Sequence, residues 1–374
     1  MKIGIDASRA FEKERTGTEE YSYRLIKNFV MMDTSRHQIF LYARKNSLID
    51  FDLPDNFKLK IISSDKFWTQ IGLASEMMMN KPDILFIPSY AVPQIHPTKT
   101  IVTIHGLEYK YFPECYSLKE RLMLELNTRF SIKWASKIIT PSESTKNDLI
   151  KFYKVDADKV KVIYHGTGSS KYQAVSIKHQ DKESLSILFI GRLEKRKNLV
   201  NLIKAFEIFK NPSSPLPAGQ AGLFQRGNSD IKLILAGKNG FGFAEIKKAI
   251  QDSPFQKDII LKNYISEKEK EELYKNSDLS ILPSFYEGFG LPVLEAMSYG
   301  VPVICSNTSS LPEVVGDAAI LIDPNNIKEI AEGINTVFSD DNLRRKMVER
   351  GFENVKKFSW EKCAKETMKE VESI

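Results

Sequence analysis

Short, mostly apolar runs alternate with longer amphipathic stretches along this chain. The runs are bounded by glycine, proline or charged residues, which is typical of strands buried on both faces of a parallel sheet. Strands are predicted at Lys2–Asp6, Gln38–Ala43, Lys58–Ile62, Ile84–Ile87, Thr100–Ile104, Lys137–Pro141, Lys161–Tyr164, Ser186–Ile190, Ile231–Ala236, Ile259–Leu261, Leu279–Leu282, Val301–Cys305 and Ala319–Ile322. Helical periodicity predicts helices at Glu19–Met32, Leu118–Ala135, Asn198–Lys210, Phe243–Gln251, Glu267–Asn276 and Asn326–Ser339. This order predicts an α/β fold in which helices cover parallel sheets on both faces.

The strand–helix alternation runs through two cycles, and the polar stretch Tyr164–Glu183 separates them. A length of 374 residues also suits two domains. We therefore predict two doubly wound, Rossmann-like domains, 1–168 and 169–357, facing an interdomain cleft. Ligands bind such sheets beyond the carboxyl ends of the strands. The apolar face of the C-terminal helix, 358–374, would bury equally well in either domain.

The segment Asn211–Asp230 resists this pattern. It carries three prolines, three glycines and three serines between a predicted helix and a predicted strand. It is longer than most connections within a compact domain. We interpret it as a mobile surface insertion, with a functional lid as the alternative.

The segment from Ser284 to Met297 is the most informative part of the chain. Glu287 lies directly before the glycine-rich sequence Gly288-Phe289-Gly290-Leu291, and Glu295 follows after seven intervening residues inside the next predicted helix. The N-terminus of that helix points unpaired N–H groups and the positive end of its dipole at the loop. The pattern favours an anion bound at this helix N-terminus, with sugar hydroxyls hydrogen-bonded to the two carboxylates. The alternative is a surface glutamate and a helix glutamate that complements its own dipole.

A cationic run, Gly191-Arg192-Leu193-Glu194-Lys195-Arg196-Lys197-Asn198, follows the first strand of the second domain. Such a run is usually a solvated loop. Its position at the end of a strand, however, places Arg192 and Lys197 where phosphate oxygens can be bound. In combination with the Glu287 segment, phosphate binding is the favoured interpretation.

Other candidates also follow predicted strands. Gly17 precedes the first helix, with Thr18 as its predicted N-cap, and a turn glycine is as good an interpretation as a binding loop. His105 could hydrogen-bond a sugar hydroxyl or handle a proton, although a lone histidine is more often structural. The backbone around Lys238 and Ile265 could contact a nucleobase.

Helix capping is the favoured role of two serines that follow strands. Ser142 is predicted to cap the helix that runs through Asp148–Ile150. Ser266 and Glu269 have the spacing of a capping box.

Composition narrows the function classes. A net charge of +6 is well short of what a nucleic-acid-binding protein carries. The three cysteines lie far apart, which excludes a metal cluster by spacing and a disulfide framework. No run approaches the ~18 apolar residues of a membrane span. We expect a cytoplasmic protein that can be peripheral at the inner face of the membrane.

The stretch Lys119–Lys137 is basic and amphipathic, with Arg121, Arg129, Lys133 and Lys137 among leucines and aromatic residues. Such a helix can lie on an anionic membrane surface. Packing against its own domain is the favoured alternative.

Together these motifs resemble those of the GT-B glycosyltransferases of family 4, the group 1 glycosyltransferases, and most of all the mannosyltransferase-like members. The resemblance covers nearly the whole chain, including Phe358-Ser359-Trp360 before the last helix, and it implies that helix 358–374 packs back on the first domain. Its strongest elements are the Glu287–Glu295 segment and the Gly191–Asn198 segment. One departure is Thr18-Glu19-Glu20 after Gly17, where many relatives have a second glycine and a basic residue. This difference argues against an anionic acceptor.

The resemblance implies transfer of a hexose, mannose or glucose, from GDP-mannose or a UDP-hexose to a hydroxyl of a glycan or glycolipid. It implies retention at the anomeric carbon and no metal or other cofactor. Glu287 and His105 would then contact the donor sugar, and Glu295 the donor ribose. Arg192 and Lys197 would hold the diphosphate, and the Gly17 loop would close over the site. The setting would be synthesis of a cell-surface polysaccharide or glycoconjugate.

Other function classes stay open on the sequence alone. One is a two-domain protein that binds sugar without catalysis. Others are a phosphorylase, which would need pyridoxal phosphate, and a sugar-nucleotide epimerase.

Overall fold

A computed structural model describes residues 1–64, 67–89, 91–168, 185–211 and 231–374. The chain forms two compact units. The N-terminal unit comprises Met1–Lys110, Ser117–Gly166 and Phe358–Ile374, and the C-terminal unit comprises Tyr111–Tyr116 and Thr167–Lys357. Most of the predicted linker Tyr164–Glu183 and of the predicted insertion Asn211–Asp230 lies outside the described residues.

The N-terminal unit is built on a sheet whose seven described strands are all parallel. They are β1 Lys2–Asp6, β2 Gln38–Arg44, β3 Phe57–Ile62, β4 Ile84–Ile87, β5 Lys99–Thr103, β6 Lys137–Thr140 and β7 Val160–Val162, in the order β3-β2-β1-β4-β5-β6-β7. The helices are α1 Gly17–Met31, α2 Ala74–Met79, α3 Glu108–Tyr111, α4 Leu118–Trp134, α5 Glu143–Tyr153 and the C-terminal α13 Trp360–Glu372. A π-helical turn, Trp68–Leu73, precedes α2.

The C-terminal unit has the same architecture, with six described parallel strands. They are β8 Leu185–Ile190, β9 Ile231–Ala236, β10 Ile259–Lys262, β11 Leu279–Leu282, β12 Val303–Ser306 and β13 Ala319–Ile322, in the order β10-β9-β8-β11-β12-β13. The helices are α6 Leu199–Lys210, α7 Phe243–Asp252, α8 Glu267–Asn276, α9 Leu291–Ser298, α10 Leu311–Val315, α11 Ile327–Ser339 and α12 Asp341–Val355.

The strand order of both sheets reverses beside the first strand of the unit. In the C-terminal unit the reversal falls between β8 and β11, where successive connections run to opposite sides. The loops that leave these two strands diverge and open a crevice at their carboxyl ends. The sequence places the Arg192–Lys197 run after β8 and the Glu287 loop after β11, so the topology brings the two strongest motifs to one crevice.

The prediction of two parallel, helix-covered sheets is confirmed, and most strand bounds agree to within two residues. The strand predicted at Val301–Cys305 begins instead at Val303, because Pro302 has no N–H to donate to the ladder; only its carbonyl is used, by the Ser280 N–H at 2.9 Å. The strand predicted at Lys161–Tyr164 ends at Val162, where pairing with the last residue of β6, Thr140, is complete.

The N-cap of the first helix lies two residues earlier than predicted. Thr16, not Thr18, is the N-cap, and the Glu19 carboxylate accepts hydrogen bonds from the backbone N–H and the hydroxyl of Thr16. The capping box therefore uses the acid three residues after the cap. The other two capping predictions are confirmed: Ser142 accepts the Thr145 N–H at 3.1 Å, and Ser266 forms a capping box with Glu269.

The last helix, α13, packs against α1 in the N-terminal unit. A Cβ placed on Gly166 would lie 2.1 Å from the backbone nitrogen of Trp360, so the two backbone segments are in direct contact. His165 stacks on the Trp360 ring at 5.8 Å between centroids. The chain thus leaves this unit at Gly166 and re-enters it at Phe358 beside the same point. Among the described helices, none is long and apolar enough to span a bilayer.

Candidate active site

The crevice of the C-terminal unit is centred on a buried ion pair between Lys197 and Glu287. Both residues are 7% exposed, and the Lys197 ammonium donates to Glu287 Oε1. Burial alone would raise the pKa of Glu287, but the charges of Lys197 and Arg196 outweigh it and hold that pKa below its ordinary value. Glu287 is therefore a carboxylate at neutral pH. The ammonium has three donors, so Lys197 retains donors for phosphate oxygens beside a fixed negative charge.

Arg196, which was not among the site residues predicted from the sequence, connects the loop after β8 to the loop after β11. Its guanidinium donates to the Tyr286 carbonyl, lies 3.5 Å from Glu287 Oε2 and lies 2.6 Å from Glu194 Oε1. Its own carbonyl accepts the Phe285 N–H at 3.0 Å. A planar guanidinium can hold several acceptors at once in fixed directions, which an ammonium cannot. Arg196 thus anchors the Glu287 loop to the end of β8.

Arg192 has a different environment. Its side chain is 52% exposed, and Glu194 Oε2 lies 4.0 Å from its Nε. The loop that carries it is nevertheless fixed, because the Leu193 N–H donates to the Lys238 carbonyl at 2.8 Å and the Gly240 N–H donates to the Leu193 carbonyl at 2.9 Å. Arg192 is therefore an exposed cation on a well-held backbone, whereas Lys197 and Arg196 are buried in the wall.

The loop after β12 holds the Glu287 loop from the other side, which sequence reasoning missed. The Glu287 N–H donates to Ser309 Oγ at 2.9 Å. The fully buried Ser310 hydroxyl lies 2.9 Å from the carbonyl oxygens of both Glu287 and Phe289. The only available sequence signal is the run of small hydroxyl residues at Thr308–Ser310, directly after a buried strand. These bonds fix the backbone that carries the predicted donor-binding residues.

Gly290 explains the glycine-rich sequence of this loop. It is the N-cap of α9 with a φ of 102°, and a Cβ there would lie 2.6 Å from Leu311 Cδ2. Only glycine adopts this conformation at little cost. Phe289 is buried at 4% exposure, so its side chain secures the loop. The backbone of Gly288, Gly290 and Leu291 forms the approach to the helix N-terminus, as the sequence predicted.

Glu295 lies on α9 and contacts α8. Its carboxylate accepts from Lys270 Nζ at 2.8 Å and from the Tyr274 hydroxyl at 3.1 Å. A carboxylate offers about four acceptor positions, so these contacts leave capacity for the two hydroxyls of a ribose. Glu287 and Glu295 are therefore each held by their own lysine, which suits two separate binding roles.

Lys238 and Ile265 lie after β9 and β10. The Lys238 ammonium lies 4.9 Å from the centroid of the Tyr264 ring, the residue before Ile265. Tyr264 is 39% exposed. This side of the crevice therefore offers a flat aromatic face and a cation next to each other, a combination that suits a nucleobase. The sequence analysis predicted a nucleobase contact by the backbone around Lys238 and Ile265, but it did not identify the Tyr264 ring.

The N-terminal unit contains the remaining predicted site residues, His105 and Gly17. His105 follows β5, is 9% exposed and donates from Nε2 to the Pro88 carbonyl at 2.7 Å. Burial lowers its pKa to about 4, so the ring is neutral at pH 7 and suited to hydrogen bonding. Gly17 is the first residue of α1, and no described atom lies within 4 Å of a Cβ placed there. Packing within the described chain therefore does not require a glycine at this position.

The acids that follow Gly17 are neutralised by arginines. Glu19 pairs with Arg9 at 3.2 Å, and Glu20 pairs with Arg15 at 3.0 Å and with Arg24. This part of the first loop therefore carries less negative charge than the sequence alone indicates. Among the described residues, no group of three or more His, Cys, Asp or Glu side chains is placed to hold a metal ion.

Solved structures share this architecture over the whole chain. WaaG, a glycosyltransferase involved in lipopolysaccharide biosynthesis, superposes with a TM-score of 0.73 at 13% identity and covers all of both chains. Sucrose-phosphate synthase from Thermosynechococcus elongatus has a TM-score of 0.73 at 16% identity, over 98% of this chain and 97% of that one. At these identities the likeness shows the fold, which is GT-B.

Sequence comparison gives the family. The glycosyl transferases group 1 model matches residues 173–354, and the glycosyltransferase family 4 model matches residues 16–169. O-antigen chain mannosyltransferase B from Escherichia coli is 31% identical over 289 residues, which are 75% of this chain and 72% of that protein. An uncharacterised glycosyltransferase from Methanocaldococcus jannaschii is 27% identical over 86% of this chain and 87% of its own length. The chain therefore belongs to the group 1 glycosyltransferases of family 4 and is a glycosyltransferase.

Proposed function

We propose that this enzyme transfers a hexose from a nucleoside-diphosphate sugar to a hydroxyl of a glycan or glycolipid, with retention at the anomeric carbon. Mannose is the first candidate, from GDP-mannose, because O-antigen mannosyltransferases of Escherichia coli and Salmonella typhimurium are among the similar proteins. Glucose from a UDP-hexose is the second. The proposed setting is polysaccharide or glycoconjugate synthesis at the cytoplasmic side of the membrane.

The observation that carries this proposal is the Lys197–Glu287–Arg196 cluster beside the N-terminus of α9. Breaking the bond between sugar and diphosphate leaves negative charge on the diphosphate. Lys197, Arg192 and the positive end of the α9 dipole supply positive charge at the position where that charge develops. Because these groups are already fixed in the protein, they need no reorganisation during the reaction. No metal or other cofactor is invoked for this step.

The two carboxylates have distinct proposed roles. Glu287 orients Lys197 and hydrogen-bonds hydroxyls of the donor sugar. Glu295 binds the donor ribose with the acceptor positions that Lys270 and Tyr274 leave. We do not assign retention to a Glu287–Glu295 pair, because double displacement requires one carboxylate to attack the anomeric carbon. Here each carboxylate is engaged by a lysine.

His105 is proposed to contact the donor sugar as a neutral ring. Its proton is on Nε2, which donates to Pro88, and the ring carries no charge at neutral pH. A role as a charged general acid would require a pKa near 7, far above the value of about 4. The Gly17 loop is proposed to contribute backbone to the same site.

A sugar-nucleotide screen tests the proposal. Unfolding temperatures measured with GDP-mannose, UDP-glucose and related donors should identify one that stabilises the protein, because a ligand that binds only the folded state raises stability by mass action. That donor should then release its nucleoside diphosphate in the presence of a glycan acceptor, and the product linkage should keep the anomeric configuration of the donor. Binding without turnover across a panel of acceptors would instead indicate a sugar-binding protein. An inverted product would overturn the retaining assignment.

A further inference from the structure

Helix α4, Leu118–Trp134, differs from an ordinary surface helix in which of its side chains are buried and which are exposed. Its most buried side chains are small and polar, Thr128 at 1% exposure and Ser131 at 0%. They bond to the unit beneath: the Tyr109 hydroxyl lies 2.9 Å from Thr128 Oγ1, and the Val92 N–H donates to Ser131 Oγ at 3.0 Å. A helix in a soluble domain normally buries its large apolar residues and exposes its polar ones.

Five large apolar residues of α4 face outward. Leu118 is 85% exposed, and the others on this face are Leu122 at 60%, Met123 at 53%, Leu126 at 42% and Phe130 at 44%. At 3.6 residues per turn and a rise of 1.5 Å per residue, these five positions fall on one side of the helix and span about 18 Å along its axis. An exposed stripe of this kind marks an interaction surface.

The charges on the outward face are all positive. Lys119, Arg129 and Lys133 lie between the apolar residues on the same side of the helix. Of the two acids of α4, Glu120 accepts from the Ser117 cap, whereas Glu125 pairs with Lys110 at 2.6 Å and with Arg129 at 2.7 Å and so compensates the charge of Arg129. The face is therefore both apolar and cationic.

We propose that this face of α4, Leu118, Lys119, Leu122, Met123, Leu126, Arg129, Phe130 and Lys133, docks the protein on an anionic lipid bilayer. Leucine, methionine and phenylalanine side chains enter the boundary between headgroups and acyl chains, and the long cationic side chains reach the lipid phosphates. The inference goes beyond the transfer reaction, since it requires neither a donor nor an acceptor.

A second copy of the chain is the main competing occupant of the face. In a symmetric dimer the same patch would meet itself. Lys119 and Lys133 would then face cations across an apolar contact, whereas the charge of Arg129 is compensated by Glu125. Like charges in that position repel, whereas an anionic bilayer supplies the complementary charge.

Vesicle flotation tests the proposal with the full chain. The wild-type protein should float with phosphatidylcholine vesicles that contain phosphatidylglycerol, and less so as the salt concentration rises or when phosphatidylglycerol is omitted. The triple variant Leu122→Gln, Leu126→Gln, Phe130→Gln should stay with the unbound protein. The double variant Lys119→Gln, Lys133→Gln should bind about fivefold more weakly for each charge removed.

The matched control is Met31→Gln with Leu48→Gln, which removes apolar side chains that are 76% and 66% exposed elsewhere on the N-terminal unit. It should float like the wild type. All three variants change exposed positions, so their unfolding temperatures should stay at the wild-type value.

Three results would overturn the proposal. One is a wild-type protein that does not float with either vesicle, and another is a triple variant that floats like the wild type. The third is a wild-type protein that does not bind vesicles but forms dimers that the triple variant abolishes. Nucleotide release is measured separately with a soluble acceptor. Failure of the transfer proposal would therefore leave vesicle binding unchanged, and failure to bind vesicles would leave nucleotide release unchanged.

Discussion

At the scale of single residues, the site is a small set of charges whose burial differs sharply. Lys197 and Glu287 are enclosed together, Arg196 is mostly enclosed at 17% exposure, and Arg192 is half exposed. A fixed charge in a water-poor wall acts more strongly on a reacting group than one in solvent. We therefore expect substitutions of these cations to have distinguishable effects.

Lys197→Ala should lower kcat by on the order of a hundredfold, because one preorganised cation at the leaving diphosphate is lost. It should also lower the unfolding temperature, since Glu287 loses its closest partner. The loss of stability should be smaller than the ~3–5 kcal/mol typical of a broken buried pair, because Arg196 remains 3.5 Å from Glu287. Steady-state nucleotide release and thermal unfolding are the measurements.

The control for this variant is Lys195→Ala in the same turn. Lys195 is 44% exposed, and its partner Glu114 lies 3.7 Å away, so its loss should change little. The double variant Lys197→Ala, Glu287→Ala should regain part of the stability lost in Lys197→Ala, because no unpaired carboxylate is left. Equal kinetics for Lys197→Ala and Lys195→Ala would contradict the assignment of Lys197.

Arg192→Lys and Arg196→Lys should differ although both keep the charge. Arg192 is half exposed, so its replacement should lower turnover without a measurable change in unfolding temperature. Arg196 holds Tyr286, Glu287 and Glu194 with one planar group, which an ammonium cannot reproduce. Arg196→Lys should therefore lower both the unfolding temperature and kcat. If the two variants lowered stability equally, Arg196 would not be the anchor of the Glu287 loop.

At the scale of elements, the sequence predicts where the strands lie better than how the loops are held. Runs such as Ile84–Ile87 and Leu279–Leu282 are located because burial on both faces demands continuous apolar residues. The association of Lys197 with Glu287 also follows, since parallel strands bring their carboxyl ends to one edge. The hydrogen bond from Ser310 to the Glu287 carbonyl could not be predicted, because no sequence pattern around a small hydroxyl residue indicates its hydrogen-bond partner.

Helix α4 shows a second limit of pattern reasoning. The apolar and polar residues of α4 alternate with a helical period, and the sequence predicts the bounds of the helix to within one residue. Periodicity shows that two faces differ, but it does not show which face meets the domain. Here Thr128 and Ser131 are buried through hydrogen bonds to Tyr109 and Val92, which lie in other parts of the chain. Only the tertiary structure reveals that the apolar face points outward.

Ser310→Ala tests the contribution of the β12 loop to the site. The variant leaves the carbonyls of Glu287 and Phe289 without this donor, which should cost about 1–3 kcal/mol and loosen the Glu287 loop. Hydrogen exchange at residues 285–290 should become faster and the KM for the donor should rise. The control is Ser339→Ala, whose hydroxyl bonds to Asn335 within its own helix at 2.7 Å. Unchanged exchange in Ser310→Ala would show that the loop is held by other contacts.

At the scale of the whole molecule, the N-terminal unit depends on a segment from the far end of the chain. Gly166 contacts the backbone of Trp360 so closely that a methyl group does not fit. All three tryptophans, Trp68, Trp134 and Trp360, lie in this unit. Tryptophan fluorescence therefore reports its unfolding without a signal from the other unit.

Gly166→Ala should displace Phe358–Ile374 from the N-terminal unit. The expected results are a lower unfolding temperature by tryptophan fluorescence and faster proteolysis near residue 358. Gly168→Ala is the matched control, because no described atom lies within 4 Å of a Cβ at that position. A Gly166→Ala variant as stable and as protease-resistant as Gly168→Ala would show that the C-terminal helix does not depend on this contact.

Acid should destabilise the N-terminal unit through two buried histidines. His105 and His165 lie 5.5 Å apart between ring centroids, and Tyr21 contacts both rings. Burial lowers the pKa of His105 to about 4, and burial together with the nearby His105 lowers the pKa of His165 well below its ordinary value. The unfolded chain, with histidine pKa values near 6.5, binds protons that the folded unit cannot.

The stabilisation from these rings is therefore complete above about pH 6.5 and is lost as the pH falls toward 4. The slope should approach 1.4 kcal/mol per pH unit for each histidine, about the value for one proton. Glu19 and Glu20 add to the loss only at the acid end of this window: burial would raise their pKa values, but the Thr16 hydrogen bond and Arg9 for Glu19, and Arg24 and Arg15 for Glu20, hold those pKa values below the ordinary range.

His165→Phe separates this effect from general acid sensitivity. A phenyl ring can keep the stacking on Trp360 and Tyr21 but cannot take up a proton. Urea unfolding followed by tryptophan fluorescence at several pH values between 7.5 and 4.5 should show a shallower loss of stability for His165→Phe than for the wild type, by about one proton. Parallel pH profiles for the two proteins would mean that His165 takes up no additional proton on unfolding, contrary to its burial between Tyr21 and Trp360.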